Sequence, residues 1–371
     1  MDSKTRLRAA ALFVVVVIFL RIDYTLTTEL IRVQPLGLDF LPIWTGLRLA
    51  LERPADLYDF AAVTDAQHWM LKAYPKIRPF VYPPSVAPIL MPFAFLGFWP
   101  AYLLFTTLSG VLFLSAAWRI SGRWLAIALL LTTPPVLLAA FTGQVTFLVG
   151  GLALWALILK DRPIAAGALL GIAAALKPQL LVLFPLALVL ERRWRMLGSA
   201  LTAGSLLCAA SLLLVGVSGW LEWFAALPRF GQLILQDPGL LRNVVTPRGM
   251  LIGLGVSGPA LLAGQAACAL AGVGFVVWAF TRKASTAQQI VALVAGGLLI
   301  SPYAMNYEFA LLAPAVTAKA ARIEDDDWLY GLLALMMLSL TLPRLGAIFV
   351  LVLFVLQPWR ATGDPVAKPA T

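Results

Sequence analysis

Two ionisable residues stand where an ionised side chain is hard to explain as solvent decoration. Asp39 lies in the run Gly37, Leu38, Asp39, Phe40, just ahead of a stretch with helical spacing. A carboxylate there could act as a general base that takes the proton from an acceptor hydroxyl. The same position suits a helix N-cap, in which the carboxylate accepts from backbone N–H groups, and the two roles are compatible. Lys177 lies in Leu176, Lys177, Pro178, Gln179, between two apolar segments. A lysine at membrane depth is costly and marks a functional candidate, here a point charge for a phosphate. Its structural alternative is a lysine at a helix end whose amine reaches up to water.

Other polar residues cluster at the same kind of position. Gln144 follows Gly143, and Tyr82 opens Tyr82, Pro83, Pro84. Both suit plain turn chemistry, and Tyr82 fits an aromatic belt at the headgroup level better than a ligand contact. Arg229, Arg242 and Arg248, near Asn243 and facing Glu222 and Asp237 in sequence, could clamp an anionic group or simply attract lipid headgroups. Ser301 and Pro302 precede Tyr303, Ala304, Met305, Asn306, Tyr307 and Glu308. Glu308, at the mouth of an apolar run, needs a partner or water.

Several chemistries lack their residues. There is no Gly-rich nucleotide loop, zinc spacing or nucleophile elbow. Cys208 and Cys268 sit inside apolar runs, which predicts neither a disulfide nor a metal site, and His68 is the only histidine. No cofactor is expected. Asp39 and Glu308 could share a divalent ion, but nothing in their spacing requires one.

The elements that must position these residues are membrane spans. The chain has 371 residues, 61% hydrophobic and 12% charged, against roughly 25% charged in soluble domains. Apolar runs recur almost throughout, so one integral bundle over residues 1–371 is expected rather than several soluble domains. With about 20 residues needed per crossing, about twelve spans are expected. They fall near residues 7–27, 100–118, 124–141, 145–159, 163–176, 179–190, 196–217, 259–280, 287–300, 307–318, 328–342 and 345–356. Several are short, which suggests helices that stop beside a cavity. The first follows Lys4, Arg6 and Arg8 without a small-residue cleavage site, and reads as an uncleaved signal anchor.

The net charge of +10 is scattered between these runs, which argues against nucleic acid. Every second connection is basic: Arg119 and Arg123; Lys160 and Arg162; Arg192, Arg193 and Arg195; Arg282 and Lys283; Lys319 and Arg322; Arg360. The positive-inside rule then places both termini in the cytoplasm, with residues 358–371 as a tail. Acidic residues 324–327 fall on the same side. The other side carries two long polar connections, residues 28–84 and 218–258. The first contains a predicted amphipathic interfacial helix at residues 40–51. Residues 86–98, interrupted by Pro88 and Pro92, read as a re-entrant or interfacial segment.

The order of motifs resembles glycosyltransferase family 87, which includes the polyprenol-phosphate-mannose-dependent mannosyltransferases of mycobacteria. The resemblance rests on Asp39, Phe40 and Trp44, then Leu57, Tyr58 and Asp59, then Tyr82, Pro83 and Pro84. It continues through Gly143, Gln144 and Val145; Ala166, Gly167 and Gly171; Leu176, Lys177 and Pro178; and Arg192, Arg193 and Trp194. It is good over residues 37–195 and loose beyond. It implies an all-α, polytopic, class C glycosyltransferase fold in a bacterial inner membrane, with the active site facing the periplasm. It also implies an inverting transfer from a sugar linked to polyprenyl phosphate, with Asp39 as base and Lys177 holding the lipid phosphate. Many members carry Trp and one or two His residues after a late Ser-Pro, where this chain has Tyr303 to Tyr307. That departure bears on the sugar, the acceptor or a donor contact.

The expected function is therefore transfer of a hexose, with mannose favoured, to a glycolipid or periplasmic glycan acceptor. The expected substrate contacts are Lys177, Gln144, Tyr82, Arg242, Arg248, Asn306 and Glu308. A transporter or flippase of lipid-linked solutes is the main alternative, though no internal repeat is visible and the centres of the apolar runs are nearly uncharged. An inactive relative serving as a scaffold is the other.

Overall fold

The computed structural model describes residues 2–33, 35–71, 78–325 and 328–338. The predicted span at 345–356, Arg360 and the tail at 358–371 lie outside the described residues, as does the end of the predicted span at 328–342.

The described chain is helical. Helix α1 (Ser3–Val33) is followed by α2 (Leu41–Glu52), α3 (Phe60–Asp65) and α4 (His68–Leu71) in the first long connection. A short helix, α5 (Ala87–Ala94), leads into α6 (Phe98–Ser121). Then come α7 (Trp124–Leu131), α8 (Pro134–Thr142), α9 (Thr146–Ile158), α10 (Pro163–Leu176) and α11 (Phe184–Leu190). The long α12 (Trp194–Gln236) precedes α13 (Pro238–Arg242) and α14 (Pro247–Gly253). Helices α15 (Gly258–Thr281), α16 (Thr286–Ile300), α17 (Ala313–Ala320) and α18 (Trp328–Met337) complete the series.

Among the described residues four helices, α1, α6, α12 and α15, are long and apolar enough to cross a membrane. The α7–α8 pair makes a fifth if the two count as one broken span, bent by 61°. Two prolines cause that break. Pro134 supplies no backbone donor and its ring disfavours a helical conformation at Thr133, whose hydroxyl instead donates to the Leu129 carbonyl at 2.8 Å. Of the roughly twelve expected spans, several of them short, the described residues supply four or five of full length, and α9, α10 and α16 are shorter apolar helices of 13, 14 and 15 residues. At 1.5 Å per residue such helices reach only part of the way across a hydrocarbon core of about 30 Å.

Three other expectations concern the connections, and one of them is corrected. Helix α2 forms where the amphipathic helix is expected, with Leu41, Ile43, Leu47 and Leu49 of its apolar face buried in protein. Residues 86–98 add no full-length span of their own, as expected. Pro84–Val86 forms a 3₁₀ turn tied by the Ser85 hydroxyl to the Ala175 carbonyl at 2.6 Å, and α5 follows with Leu90 and Met91 buried. Residues 218–258 are not a loop, because α12 continues through them to Gln236. Gly216 absorbs the change of direction with φ 67°, ψ −177°, a conformation open to glycine alone. The Trp220 indole spans the kink to the Ser211 hydroxyl at 3.1 Å.

Small residues set the tightest packing. A side chain at Gly171 would collide with the Ala200 backbone, so α10 and α12 meet backbone to backbone, as small-residue faces permit in membrane bundles. The basic connections do gather. Arg8 donates to the Ile323 and Asp325 carbonyls, and Arg123 reaches the Ala321 carbonyl and the Glu324 carboxylate. Arg193 donates to the Lys160 carbonyl at 2.7 Å.

Candidate active site

Asp39 is placed by the end of another helix. The last carbonyls of α8 have no partner within their own helix. Gly37 N–H donates to the Phe141 carbonyl at 2.8 Å, and Asp39 and Phe40 N–H both donate to the Thr142 carbonyl at 2.9 and 3.0 Å. Gly143 closes α8 in the left-handed conformation, φ 72°, the usual C-terminal stop. Phe40 anchors the turn: it is fully buried and stacks on Phe105 at 5.1 Å, with Phe98 and Tyr102 beside it. The turns at 37–40 and 141–146 are thus joined, bringing Asp39 near Gln144 and Thr146.

The carboxylate of Asp39 does not cap α2. The N-cap is Phe40, with no side-chain hydrogen bond, and Asp39 instead accepts from the Arg78 guanidinium at 3.0 Å. The pair is only partly shielded, at 17% exposure for the Arg78 side chain and 22% for Asp39, so a hydroxyl can approach the carboxylate.

Lys177 ends α10, where Pro178 stops the helix. Its side chain turns inward to 6% exposure, and its amine lies 2.5 Å from a Glu308 oxygen. The second Glu308 oxygen accepts from the Thr146 hydroxyl at 2.9 Å, and Thr146 in turn accepts from Lys177 at 3.4 Å. The Gln144 side-chain oxygen is 3.5 Å from both the Lys177 amine and the Tyr82 hydroxyl. The rings of Tyr307 and Tyr82 lie 5.4 and 5.9 Å from the amine. Tyr82 therefore faces into the protein, contrary to the expected aromatic belt. Burial, together with the nearby Asp39 and Glu308 carboxylates, pushes its phenol well above the ordinary value, so it stays protonated and available as a donor. Gln144 and Thr146, which contact the Lys177 amine, directly follow the α8 end that holds the Asp39 turn, so the two ion pairs share one framework.

Lys177, Glu308 and Tyr82 line a pocket of about 90 Å³ whose other walls are largely apolar. It shares Gln179, Trp223, Leu227 and Tyr303 with a second cavity of about 670 Å³ that is mainly apolar. The part of α12 beyond Gly216 supplies much of that second wall, including Phe224, Ile234 and Leu235. Trp223 is fixed by its indole N–H to the Val81 carbonyl at 3.1 Å.

The remaining expected contacts are dispersed. Arg248 lines the apolar cavity. Arg242 is exposed at the end of α13, and Arg229 lies over the Phe60 ring at 5.1 Å. Asn306 pairs with Asn243: its backbone N–H donates to the Asn243 carbonyl at 2.9 Å and its amide to the Asn243 side chain at 3.2 Å. It ties the α13–α14 connection to residues 303–306 rather than lining the pocket. His68 is beside Asp65 at 3.5 Å, and Cys208 and Cys268 are free. Among the described residues no three His, Cys, Asp or Glu side chains converge.

Arg78 and Thr146 were not anticipated. Arg78 carried a signal, being a basic residue in a connection expected on the side that the positive-inside rule leaves poor in Arg and Lys. Thr146 carried none beyond following Gln144 at a helix start.

The model of glycosyltransferase family 87 matches residues 80–302, more than half of the chain. The matched region contains Tyr82, Gln144, Lys177, Arg242 and Arg248, while Asp39 precedes it and Asn306 and Glu308 follow it. Neither the comparison with curated proteins nor that with solved structures finds a match. A helical membrane bundle with a buried polar site, matched over most of its middle by one family, leaves a single assignment: the chain belongs to glycosyltransferase family 87.

Proposed function

We propose that this membrane glycosyltransferase transfers a hexose, mannose in the favoured case, from polyprenyl phosphate to a glycolipid or glycan acceptor with inversion at the anomeric carbon. The observation that carries the reading is the junction of the two cavities: a small pocket that holds the Lys177–Glu308 pair opens beside a wide apolar one. A sugar on a lipid phosphate has the matching halves, an anionic diester at the end of a long hydrocarbon.

In this reading Lys177 faces the phosphate. Its ammonium carries three donors, so it can bond a phosphate oxygen while still held by Glu308 and Thr146. Asp39 takes the proton of the acceptor hydroxyl. The hydroxyl oxygen bonds to the anomeric carbon, and the bond from that carbon to the phosphate oxygen breaks with its electron pair leaving on the lipid phosphate. Arg78 and Lys177 supply positive charge on the two sides of the reaction, the service a divalent ion would give. Tyr82 and Gln144 are placed to donate to sugar or phosphate oxygens. The site faces the non-cytoplasmic side of a bacterial inner membrane, where the positive-inside pattern puts the long connections.

Purified protein in liposomes, given synthetic polyprenyl-phosphate sugars and a membrane glycolipid extract, should form a glycosidic product and release polyprenyl phosphate. The rate should be unchanged by EDTA. Movement of the lipid-linked sugar across the bilayer without a glycosidic product would favour the flippase reading instead.

A further inference from the structure

A third cavity lies away from Lys177, on the flank of α2 that faces α4. It measures about 380 Å³ and is lined chiefly by Trp44, Arg48, Glu52, Arg53 and Trp69. Trp44, Arg48 and Glu52 recur at four-residue intervals, so they form one stripe of the helix. Its volume falls within the roughly 300–1,000 Å³ typical of small-molecule sites.

The pocket is braced rather than loose. The Trp44 indole N–H donates to the Leu96 carbonyl at 3.0 Å, fixing its ring. Trp69 meets Trp44 at 6.2 Å with an interplanar angle of 69°, and packs against Phe98 at 5.7 Å. The Arg48 guanidinium lies 5.0 Å above the Trp44 ring. Trp69 nevertheless remains 49% exposed, which leaves indole surface free for a ligand.

The charges decide the ligand class. Arg48 pairs with Glu52 at 3.5 Å, and Arg53 with Asp56 at 3.2 Å, so the set is balanced. A phosphate headgroup would meet the Glu52 carboxylate as well as the arginines. A neutral polyol suits both, since its hydroxyls donate to the carboxylate and accept from the guanidinium. The C–H face of a pyranose, with its slight positive character, packs on the electron-rich face of an indole. Trp44 lies five residues beyond Asp39 and one helical turn beyond Phe40, its N–H bonded to the Phe40 carbonyl at 2.9 Å. At 1.5 Å per residue the stripe runs from about 8 Å to about 20 Å along the axis from the proposed base, a span of a few sugar rings.

We propose that this pocket is a subsite for a neutral hexose of the acceptor glycan, one or more rings inward from the hydroxyl that is glycosylated. The class of ligand rests on the glycosyltransferase reading, but the binding test does not require transfer. Saturation-transfer NMR on the protein in nanodiscs, with α-1,6-mannotriose, maltotriose and cellotriose as probes, reads the contact directly. At least one probe should show transfer concentrated on the C–H protons of one ring. The signal should fall at least fivefold in Trp69→Ala and in Arg48→Gln, and persist in Asp39→Asn. Silence from all three probes with the wild type would overturn the proposal, as would an undiminished signal in both pocket variants. Loss of the signal when phosphatidylglycerol is added to the nanodisc would also overturn it, by making the pocket a lipid-headgroup site. A failed donor assay alongside positive binding would count against the transfer reading and leave this pocket standing.

Discussion

The Lys177 amine and the Glu308 carboxylate meet at 2.5 Å although they are 131 residues apart in sequence. Both side chains are nearly buried, at 6% and 5% exposure. Two opposite charges taken together from water are tolerable only as a pair. The Thr146 hydroxyl and the Gln144 amide oxygen complete their bonding.

Removing one partner should therefore cost more than removing both. Lys177→Met leaves a buried carboxylate unpaired, with an expected loss of about 3–5 kcal/mol. The double variant Lys177→Met with Glu308→Leu should recover most of that stability and none of the transfer activity. Chemical denaturation in detergent micelles, run beside the transfer assay, separates the two effects. Equal stability of the single and double variants would show that the pair is not energetically coupled.

Thr146 has a narrower role. Thr146→Val keeps the shape but removes the donor to Glu308 and the acceptor for Lys177, for an expected loss of about 1–3 kcal/mol. Its main kinetic effect should be a raised KM for the lipid donor, because the amine is no longer held in place. Thr146→Ser should restore near-normal values. An unchanged donor KM in Thr146→Val would mean that the amine is positioned without it.

Much of this framework can be read from composition. The long apolar runs mark α1, α6 and α15, the cost of an ionised group at membrane depth singles out Lys177, and Asp39 is singled out by its position ahead of α2 and by the family resemblance. The second half of α12 is hidden because Glu222 and Arg229 look like loop residues, when they belong to a helix that turns at Gly216 and goes on to wall the apolar cavity. The short apolar helices are legible as short runs that suggest helices stopping beside a cavity, and the structure has such short helices in α9, α10 and α16. The partners Arg78–Asp39 and Thr146–Glu308 are separated by 39 and 162 residues. Such pairings are made by packing and leave no periodic trace.

Gly143 offers a test of how Asp39 is held. A side chain there must adopt φ 72° and would stand 2.7 Å from the Phe40 Cβ and 2.9 Å from the Tyr102 ring. Gly143→Ala should push the 37–40 turn away from α8 and misplace the Asp39 carboxylate. A displacement near 1 Å is enough to lower kcat about 100-fold, with the protein still folded. A normal kcat would show that Asp39 does not depend on this turn.

The central claim is that Asp39 is the base in a transfer from polyprenyl phosphate. It is tested most directly by mixing purified protein in nanodiscs with radiolabelled polyprenyl-phosphate mannose and a glycolipid extract, comparing the wild type with Asp39→Asn. The account predicts labelled glycolipid from the wild type and a rate lower by about 10²–10⁴-fold from the variant, with donor binding retained. Equal product from the two proteins would contradict it.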